Sequence, residues 1–200
     1  MTNTLIDLIR HGEPEGGKRY RGQSDDPLSA TGWQQMWNAV GEQAPWRRII
    51  SSPLSRCRAF AQQLAARHAL PLSVDDRLME VGFGAWEGRT AAELRAEDPE
   101  QIRRFYHDPV QARPPGAEPL DAFRARVIAA FEELAQRHAG EHLLLVTHAG
   151  VMRAVVAHVL KAPLEAIYRI DVDYAVLTRV RFDAERPPML VAHARRRHDE

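Results

Sequence analysis

The sequence predicts an α/β protein, a three-layer α/β/α sandwich around a mostly parallel central sheet. Short apolar runs alternate along the chain with longer segments whose apolar residues recur every three or four positions, as strands alternate with helices in such folds. The run His142–Thr147 is apolar at nearly every position, which is typical of a strand buried on both faces of a parallel sheet. With 200 residues, 44% hydrophobic and 27% charged, the chain has the size and composition of one globular domain, which we expect to span residues 1–200.

The first half of the chain alternates strands and helices. An apolar run at residues 4–9 ends in a turn and predicts the first strand. A polar, glycine-rich loop follows as far as Ser29, where a helix opens with apolar residues three and four positions apart. We expect the remaining elements of this half to be strands at 47–50 and 71–74 and a helix between Pro53 and about His68.

The second half begins with a less regular segment, residues 75–119, which carries turn signals and only weak helical patterns around 91–107. The pattern then becomes regular again, and strands and helices alternate to the end of the chain. We expect a helix at 120–138, the buried strand at 142–147, a helix at roughly 151–160, strands near 175–182 and 189–193, and a frayed polar tail at 195–200.

Charge and cysteine content exclude several classes of protein. The 27 basic and 27 acidic side chains balance, which argues against a nucleic-acid or membrane-surface partner. Cys57 is the only cysteine, so no intramolecular disulfide forms and a reducing, cytoplasmic location is expected. The apolar opening run is short and already contains Asp7 and Arg10, so we interpret it neither as a signal peptide nor as a membrane span.

Chemically suggestive side chains follow three of the predicted strands. The first strand leads to Arg10 and His11, the second to the stretch Ser51–Arg56, and the strand at 142–147 to His148. Ligands of open α/β sheets bind beyond the carboxyl ends of the strands, so these groups can converge there. Arginine forks and helix N-termini bind anions, and phosphate above all. The pattern therefore predicts an anion site.

Each of these residues also has a purely structural interpretation. A single histidine at a strand end is more often structural or solvated than catalytic. Arg56 on its own is consistent with an exposed helix residue, and Thr147 with His148 is consistent with a helix cap. Chemistry alone leaves the anion site and the structural interpretation equally open, and only the coincidence of all these groups at one sheet edge favours the site.

Five sequence blocks carry recognisable motifs: Leu8–Glu13, Asp26–Gly32, Ser51–Cys57, Leu78–Gly88 and Val146–Arg153. The first block contains Arg-His-Gly and the fourth contains the pattern L-x-E-x-x-x-G-x-W-E-G. In this order the blocks resemble those of the histidine phosphatase superfamily, which includes cofactor-dependent phosphoglycerate mutases. The resemblance implies a phosphoglycerate mutase-like fold and phosphoryl chemistry on a histidine.

The resemblance also implies roles for individual residues. His11 corresponds to the nucleophile that takes the phosphoryl group, and a neutral imidazole nitrogen is competent for that step. Arg10, Arg56 and His148 correspond to groups that hold the phosphoryl oxygens. Glu80 corresponds to the proton donor for the leaving alcohol, whereas without the surrounding block it would be interpreted as a surface carboxylate.

Further residues support or depart from the family pattern. Arg153 is expected to support the site without contacting the phosphate, and Gly12 to let the chain turn closely past the phosphate. Many family members have an asparagine a few residues after Arg-His-Gly, where this chain has Pro14–Gly17. Either the backbone of Gly22 or the side chain of Gln23 is our candidate for the substitute substrate-binding donor.

Other cysteine, histidine and lysine signals are assigned structural roles. Cys57 is expected to pack in the core, because a cysteine phosphatase would need an arginine at position 63, which is Gln63. His138 and His142 are expected to be solvated rather than a metal pair, and we expect neither a metal nor a cofactor. The basic stretch Lys18–Arg21 is interpreted as a solvated loop in preference to a rim over the substrate.

Motif spacing and loop length indicate which branch of the superfamily, and so which reaction, this chain resembles. The short spacing between Glu80 and His148 favours the phosphatase branch over the mutases. Within that branch, the loop Glu13–Gly22 and the block around Glu80–Glu87 resemble α-ribazole-phosphate phosphatases of cobalamin synthesis. The expected partner is a small phosphorylated metabolite, and a homodimer is left open. A broad-specificity phosphatase, a mutase-like enzyme and a non-catalytic phospho-ligand module are the alternatives.

Overall fold

A single mixed sheet forms the centre of the protein. The computed structural model describes residues 3–195, and its six strands lie in the order β3-β2-β4-β1-β5-β6. The first four strands of the chain, β1 to β4, run parallel to one another, while β5 is antiparallel to β1 and β6 is antiparallel to β5. The strands are β1 (Thr4–Arg10), β2 (Arg48–Ser51), β3 (Leu72–Val74), β4 (His142–Thr147), β5 (Leu177–Asp183) and β6 (Arg186–Arg195).

Within residues 3–195, six α-helices connect and cover these strands. The first begins where Ser29 caps it, because the Ser29 hydroxyl accepts a hydrogen bond from the Gly32 N–H at 3.0 Å. The helices are α1 (Ala30–Val40), α2 (Ser55–His68), α3 (Ala91–Glu97), α4 (Gln101–His107), α5 (Leu120–Arg137) and α6 (Ala149–Val159). Short 3-10 turns lie at Asp76–Leu78, Gly84–Trp86 and Leu164–Arg169.

Strand β4 shows how the three layers form. Leu143 and Leu145 pack in one apolar cluster with residues of α5 and α6, whereas Leu144 and Val146 pack in a second cluster with residues of α1 and α2. All four side chains are fully buried. Alternate residues of a strand point to opposite faces of the sheet, so an uninterrupted apolar run is what a strand covered on both faces requires. The predicted three-layer α/β/α sandwich with a mostly parallel sheet is confirmed.

The predicted elements agree with the structure except near the end of the chain. Strand β5 is shifted toward the C-terminus by one to two residues, β6 is longer than predicted, and α6 begins at Ala149 rather than 151. The 3-10 segment Leu164–Arg169 was not predicted, because it is too short for a helical pattern to show. Of the polar tail, Arg195 ends β6, and residues 196–200 lie outside the described residues. In the described part of the chain, no helix has the length and apolar character needed to cross a membrane.

Candidate active site

A cavity of about 670 Å³ opens where β1 ends and α6 begins. Its wall therefore lies at the carboxyl end of the parallel strands, where α/β sheets bind ligands. Positive charge predominates in the wall. The charged side chains that line it are Arg10, Lys18, Arg19, Arg21, Arg56, Arg95, Arg153, Glu80, Asp171 and Asp173.

His11 presents a nucleophilic nitrogen to this cavity. Its Nδ1 lies 2.7 Å from the Gly12 carbonyl oxygen, and because a carbonyl only accepts, Nδ1 carries the proton and Nε2 carries a lone pair. Burial lowers the pKa of His11 well below its usual value, and the charges of Arg10 and Arg56 lower it further. The imidazole is therefore neutral at pH 7, which is the form that attacks phosphorus.

His148, at the end of β4, lies beside His11. The two ring centroids are 5.2 Å apart in an edge-on arrangement. His148 is fully buried, and its Nε2 forms a 2.7 Å hydrogen bond with the Ser52 hydroxyl. Burial, followed by the charge of Arg56, lowers the pKa of His148 well below its usual value. Sequence reasoning missed Ser52 as the partner of His148, although Ser52 lies in a block that resembles the family.

Within the described residues, buried Arg56 and partly buried Arg10 donate hydrogen bonds only to carbonyl groups. Arg56 donates to the carbonyl oxygens of Ser24 and Gly22 at 2.6 and 2.8 Å, and it is 1% exposed. Arg10 donates to Val172 O at 2.8 Å. Neither guanidinium hydrogen-bonds to a carboxylate within residues 3–195, and the Nε of each makes no hydrogen bond there. Two positive charges whose hydrogen bonds within residues 3–195 go only to neutral carbonyl groups form a site for an anionic ligand.

Glu80 lies at the N-terminus of α6. One carboxylate oxygen accepts the Gly150 N–H at 3.2 Å and the other accepts the Val81 N–H at 2.9 Å. This arrangement holds a carboxyl group at the cavity wall with defined geometry. Gly150 is required, because a Cβ there would lie 2.2 Å from Glu80 Oε1. The sequence-predicted residues His11, Arg10, Arg56 and Glu80 are therefore brought together in one cavity, with His148 directly behind His11.

Two residues expected to support the site differ in how they do so. Arg153 lines the cavity and donates to Ile170 O at 2.8 Å. At Gly12, the close approach that the structure shows is to α1, because a Cβ on Gly12 would lie 2.2 Å from the carbonyl oxygen of Gly32. Tight packing of the loop against the start of α1 thus requires glycine there.

The two candidate substitutes for the missing asparagine are placed differently. Gly22 lines the cavity, has a φ of +52°, and leaves no room for a Cβ beside Glu87. Gln23 is not part of the cavity wall. Its side-chain amide donates to Glu80 O at 3.2 Å and its backbone N–H donates to Glu87 Oε1 at 3.1 Å. Gln23 therefore braces the backbone of Glu80 and does not face the ligand space.

The basic loop is less solvated than expected. Arg21 is 7% exposed, and it pairs with Asp26 at 2.9 Å, so the solvated-loop interpretation is wrong for this residue. Lys18 and Arg19 line the cavity. Cys57 is buried as expected of a packing residue, and burial raises the pKa of its thiol.

The outer wall of the cavity is aromatic. The hydroxyls of Tyr20 and Tyr106 lie 3.3 Å apart and join the loop before α1 to α4. Tyr174, at the inner wall, lies under the Arg10 guanidinium at 4.0 Å. The aromatic lining residues are Tyr20, Phe83, Tyr106, Tyr168 and Tyr174. They come from separate segments of the chain, so no local sequence pattern marks them as one surface.

Comparison with known proteins gives a consistent result. A family model described as Histidine phosphatase superfamily (branch 1) matches residues 6–194. Bifunctional protein Rv2228c of Mycobacterium tuberculosis is 36% identical over 191 residues, which cover 92% of this chain and 52% of that protein. The chain thus spans about half the length of the mycobacterial relatives that it matches.

Two further similarities involve proteins of comparable length. Adenosylcobalamin/alpha-ribazole phosphatase of Escherichia coli is 30% identical over 170 residues, covering 83% of this chain and 84% of that protein. The solved structure of mycobacterial glucosyl-3-phosphoglycerate phosphatase Rv2419c matches with a TM-score of 0.83 and 27% identity, covering 96% of this chain and 99% of that one. Similar proteins therefore act on different phosphate esters.

Proposed function

The chain belongs to the histidine phosphatase superfamily, and we propose that it hydrolyses phosphate monoesters through a phosphohistidine on His11. One observation carries the proposal. His11, whose Nε2 is unprotonated, lines a cavity together with Arg10 and Arg56, two cations whose hydrogen-bonding partners among residues 3–195 are all neutral carbonyl oxygens. A phosphoryl group supplies the negative charge that this arrangement lacks.

In the first half-reaction the phosphoryl group moves from the ester to the enzyme. The Nε2 lone pair of His11 forms an N–P bond while the P–O bond to the leaving group breaks, and the leaving oxygen takes the electron pair. Glu80 gives its proton to that oxygen, which then departs as an alcohol. Arg10, Arg56 and His148 stabilise the charge on the phosphoryl oxygens.

In the second half-reaction water replaces the alcohol. Glu80, now a carboxylate, takes a proton from the water as its oxygen attacks phosphorus. The N–P bond breaks, its electron pair returns to Nε2 of His11, and inorganic phosphate leaves. Each residue ends in the state in which it began, so the cycle is balanced and needs no metal or organic cofactor.

For the substrate, we propose α-ribazole 5′-phosphate. The Escherichia coli relative is named for that activity. The aromatic outer wall supports the proposal, because the tyrosines at 20, 106 and 168 and Phe83 offer apolar faces to a planar base. The leaving alcohol of this substrate is bulky and uncharged, and a cavity of about 670 Å³ accommodates it.

A specific observation favours a second candidate substrate class. Lys18 and Arg95 line the outer cavity, are exposed, and form no salt bridge within the described residues. Unpaired cations there suit a leaving group that carries its own anion, such as a carboxylate. The solved mycobacterial relative is named for a substrate of that kind.

A substrate panel separates these candidates. Phosphate release is measured for α-ribazole 5′-phosphate, 3-phosphoglycerate, glycerol 3-phosphate, phosphoserine, nucleotides and 4-nitrophenyl phosphate. We expect kcat/KM for α-ribazole 5′-phosphate to exceed that for 4-nitrophenyl phosphate by at least about 100-fold, or about 2.7 kcal/mol. Equal values would reject this substrate and favour broad specificity.

The same panel tests the alternatives. 3-Phosphoglycerate and glycerol 3-phosphate differ by a carboxylate in place of a hydroxymethyl group. A preference for 3-phosphoglycerate that Arg95→Gln removes would establish the anionic leaving group. Isomerisation of 3-phosphoglycerate without release of phosphate would indicate a mutase. No turnover of any ester would indicate a phospho-ligand binding module and overturn the proposed chemistry.

A further inference from the structure

Arg126 on α5 divides the five donors of its guanidinium between Glu118 and the segment that carries Glu80. Its Nε and one Nη2 hydrogen bond reach the Glu118 carboxylate at 2.7 and 2.8 Å. Nη1 donates to the carbonyl oxygens of Arg77 and Met79 at 2.7 and 2.8 Å. The second Nη2 hydrogen bond reaches Glu80 O at 3.1 Å. An arginine has five N–H donors, so this guanidinium is saturated.

Glu118 extends the same clamp to the other side of Glu80. Its Oε2 accepts the Gly82 N–H at 3.1 Å, and its own N–H donates to Gly82 O at 3.1 Å. Apart from the 3-10 turn at Asp76–Leu78, the segment around Glu80 belongs to no helix or strand. Its backbone is thus held on both sides by the Arg126–Glu118 pair instead of by a ladder of regular hydrogen bonds.

A second residue of α5, Phe123, packs against the helix end that binds the Glu80 carboxylate. The Phe123 ring lies under the Arg126 guanidinium at 4.8 Å. It also packs against Gly150, because a Cβ built there would lie 3.3 Å from the tip of Phe123. Since Gly150 donates to Glu80 Oε2, α5 contacts both the backbone of Glu80 and the helix end that binds its carboxylate.

We propose that Arg126 is a positioning residue that sets where the Glu80 carboxyl group meets the leaving oxygen. The inference rests on the proposed role of Glu80 as proton donor. A general acid must lie within hydrogen-bonding distance of the atom it protonates, and misplacement by about 1 Å lowers a rate by about 100-fold. Lysine cannot replace arginine at such a site, because a single ammonium group has three donors and no planar fork.

Leaving groups of different basicity distinguish positioning from general stabilisation. The leaving group of glycerol 3-phosphate is an alkoxide, which needs a proton as the P–O bond breaks. The leaving group of 4-nitrophenyl phosphate is a stable phenolate, which does not. The ratio of kcat/KM in variant and wild type is measured for each substrate. This parameter covers only the steps through P–O cleavage, so the later role of Glu80 as base does not enter.

The variant Glu80→Gln sets the scale of the effect. We expect it to lower kcat/KM for glycerol 3-phosphate by about 10²–10⁴-fold, and for 4-nitrophenyl phosphate by less than about tenfold. Arg126→Lys is expected to show the same pattern at smaller size, with losses of about 10- to 100-fold and about threefold. Arg179→Lys is the matched control, because it also weakens a paired carboxylate, Asp7, but lies away from the cavity.

The outcomes separate the two levels of the argument. If Glu80→Gln affects both substrates equally, the proposed role of Glu80 fails. A second outcome is that Glu80→Gln discriminates between the substrates but Arg126→Lys lowers kcat/KM equally for both. Arg179→Lys shows the pattern expected of a loss of stability alone. An equal loss in Arg126→Lys would mean that Arg126 is a structural residue only, and it would overturn the inference. If Arg126→Lys does not fold, Glu118→Gln is tested instead, because it weakens the same clamp while keeping the arginine, and the same two patterns decide.

Discussion

Strand β1 carries two buried charged clusters that are organised in opposite ways. Asp7 accepts hydrogen bonds from Trp46 and His142 at 2.8 and 2.9 Å and a bidentate pair from Arg179 at 2.7 and 2.9 Å. Three residues along the same strand, Arg10 has no hydrogen bond to any carboxylate in the described chain. The carboxylate of the first cluster is hydrogen-bonded by its cation, whereas the arginines of the second have no hydrogen-bonded carboxylate within residues 3–195.

The titration behaviour of the clusters follows from this difference. Burial alone would raise the pKa of Asp7, but the hydrogen bonds from Arg179, His142 and Trp46 lower it to about 2. At His11, burial and the neighbouring cations act in the same direction, and both lower the pKa. The paired charge of Asp7 stabilises the fold. Arg10 and Arg56 have no hydrogen-bonded carboxylate within residues 3–195, so their charges can stabilise an anionic ligand.

The largest expected effect comes from a substitution in the cluster at the end of β1 that contains Arg10 and His11. His11→Ala removes the nucleophile and is expected to lower kcat by a factor of about 10⁴ or more, because the remaining groups bind phosphate but form no N–P bond. Phosphate release and acid-labile phosphoprotein are measured after rapid quenching. The control is the thermal unfolding curve, which should stay that of a folded protein. Substantial residual turnover would remove His11 from the nucleophile role.

The next largest effect is expected from a substitution in the cluster around Asp7. Asp7→Asn removes a buried carboxylate that accepts hydrogen bonds from Trp46, His142 and Arg179, and we expect the free energy of unfolding to fall by about 1.5–3 kcal/mol. Urea unfolding measures this loss, and kcat/KM of the folded variant should stay within about twofold of wild type. Arg67→Gln, which breaks the exposed pair with Glu42, is the control and should change stability by at most about 1 kcal/mol. A loss of activity equal to that of His11→Ala would contradict the separation of the two clusters.

The smallest expected effect is on how the free energy of unfolding depends on pH, which differs between the two clusters. His11 and His148 have folded-state pKa values well below 6.5, so just below pH 6.5 the unfolded chain binds more protons than the folded one. Stability therefore falls as pH decreases below about 6.5, with a slope of at most about 1.4 kcal/mol per pH unit for each histidine. Asp7 contributes stability above pH 3.8 that is lost only as pH falls toward 2.

Urea unfolding in phosphate-free buffer between pH 7.5 and 5 measures this slope. His148→Asn should reduce this slope by the share of one histidine. Equal slopes in His148→Asn and wild type would show that His148 does not carry a depressed pKa.

Sequence reasoning recovered the elements and the residues that end them. The apolar periodicities place β1, α1, α2, α5 and β4 within a few residues of their observed bounds. The pattern failed where a polar residue has a distant partner. His142 was expected to be solvated, yet it bonds to Asp7, whose carboxylate also binds Arg179 from β5. Only the packing of three chain segments makes that cluster.

The amino-acid sequence by itself therefore determined the order of strands and helices and which strand ends carry Arg10, His11 and His148, because periodicity and turns are local properties. The tertiary structure alone decided which buried charges are paired. Arg126 meets the backbone of Glu80 across 46 positions of the chain, and Ser52 meets His148 across 96. Such contacts depend on burial and on competition among many donors and acceptors, so they form only when the three layers close around the sheet.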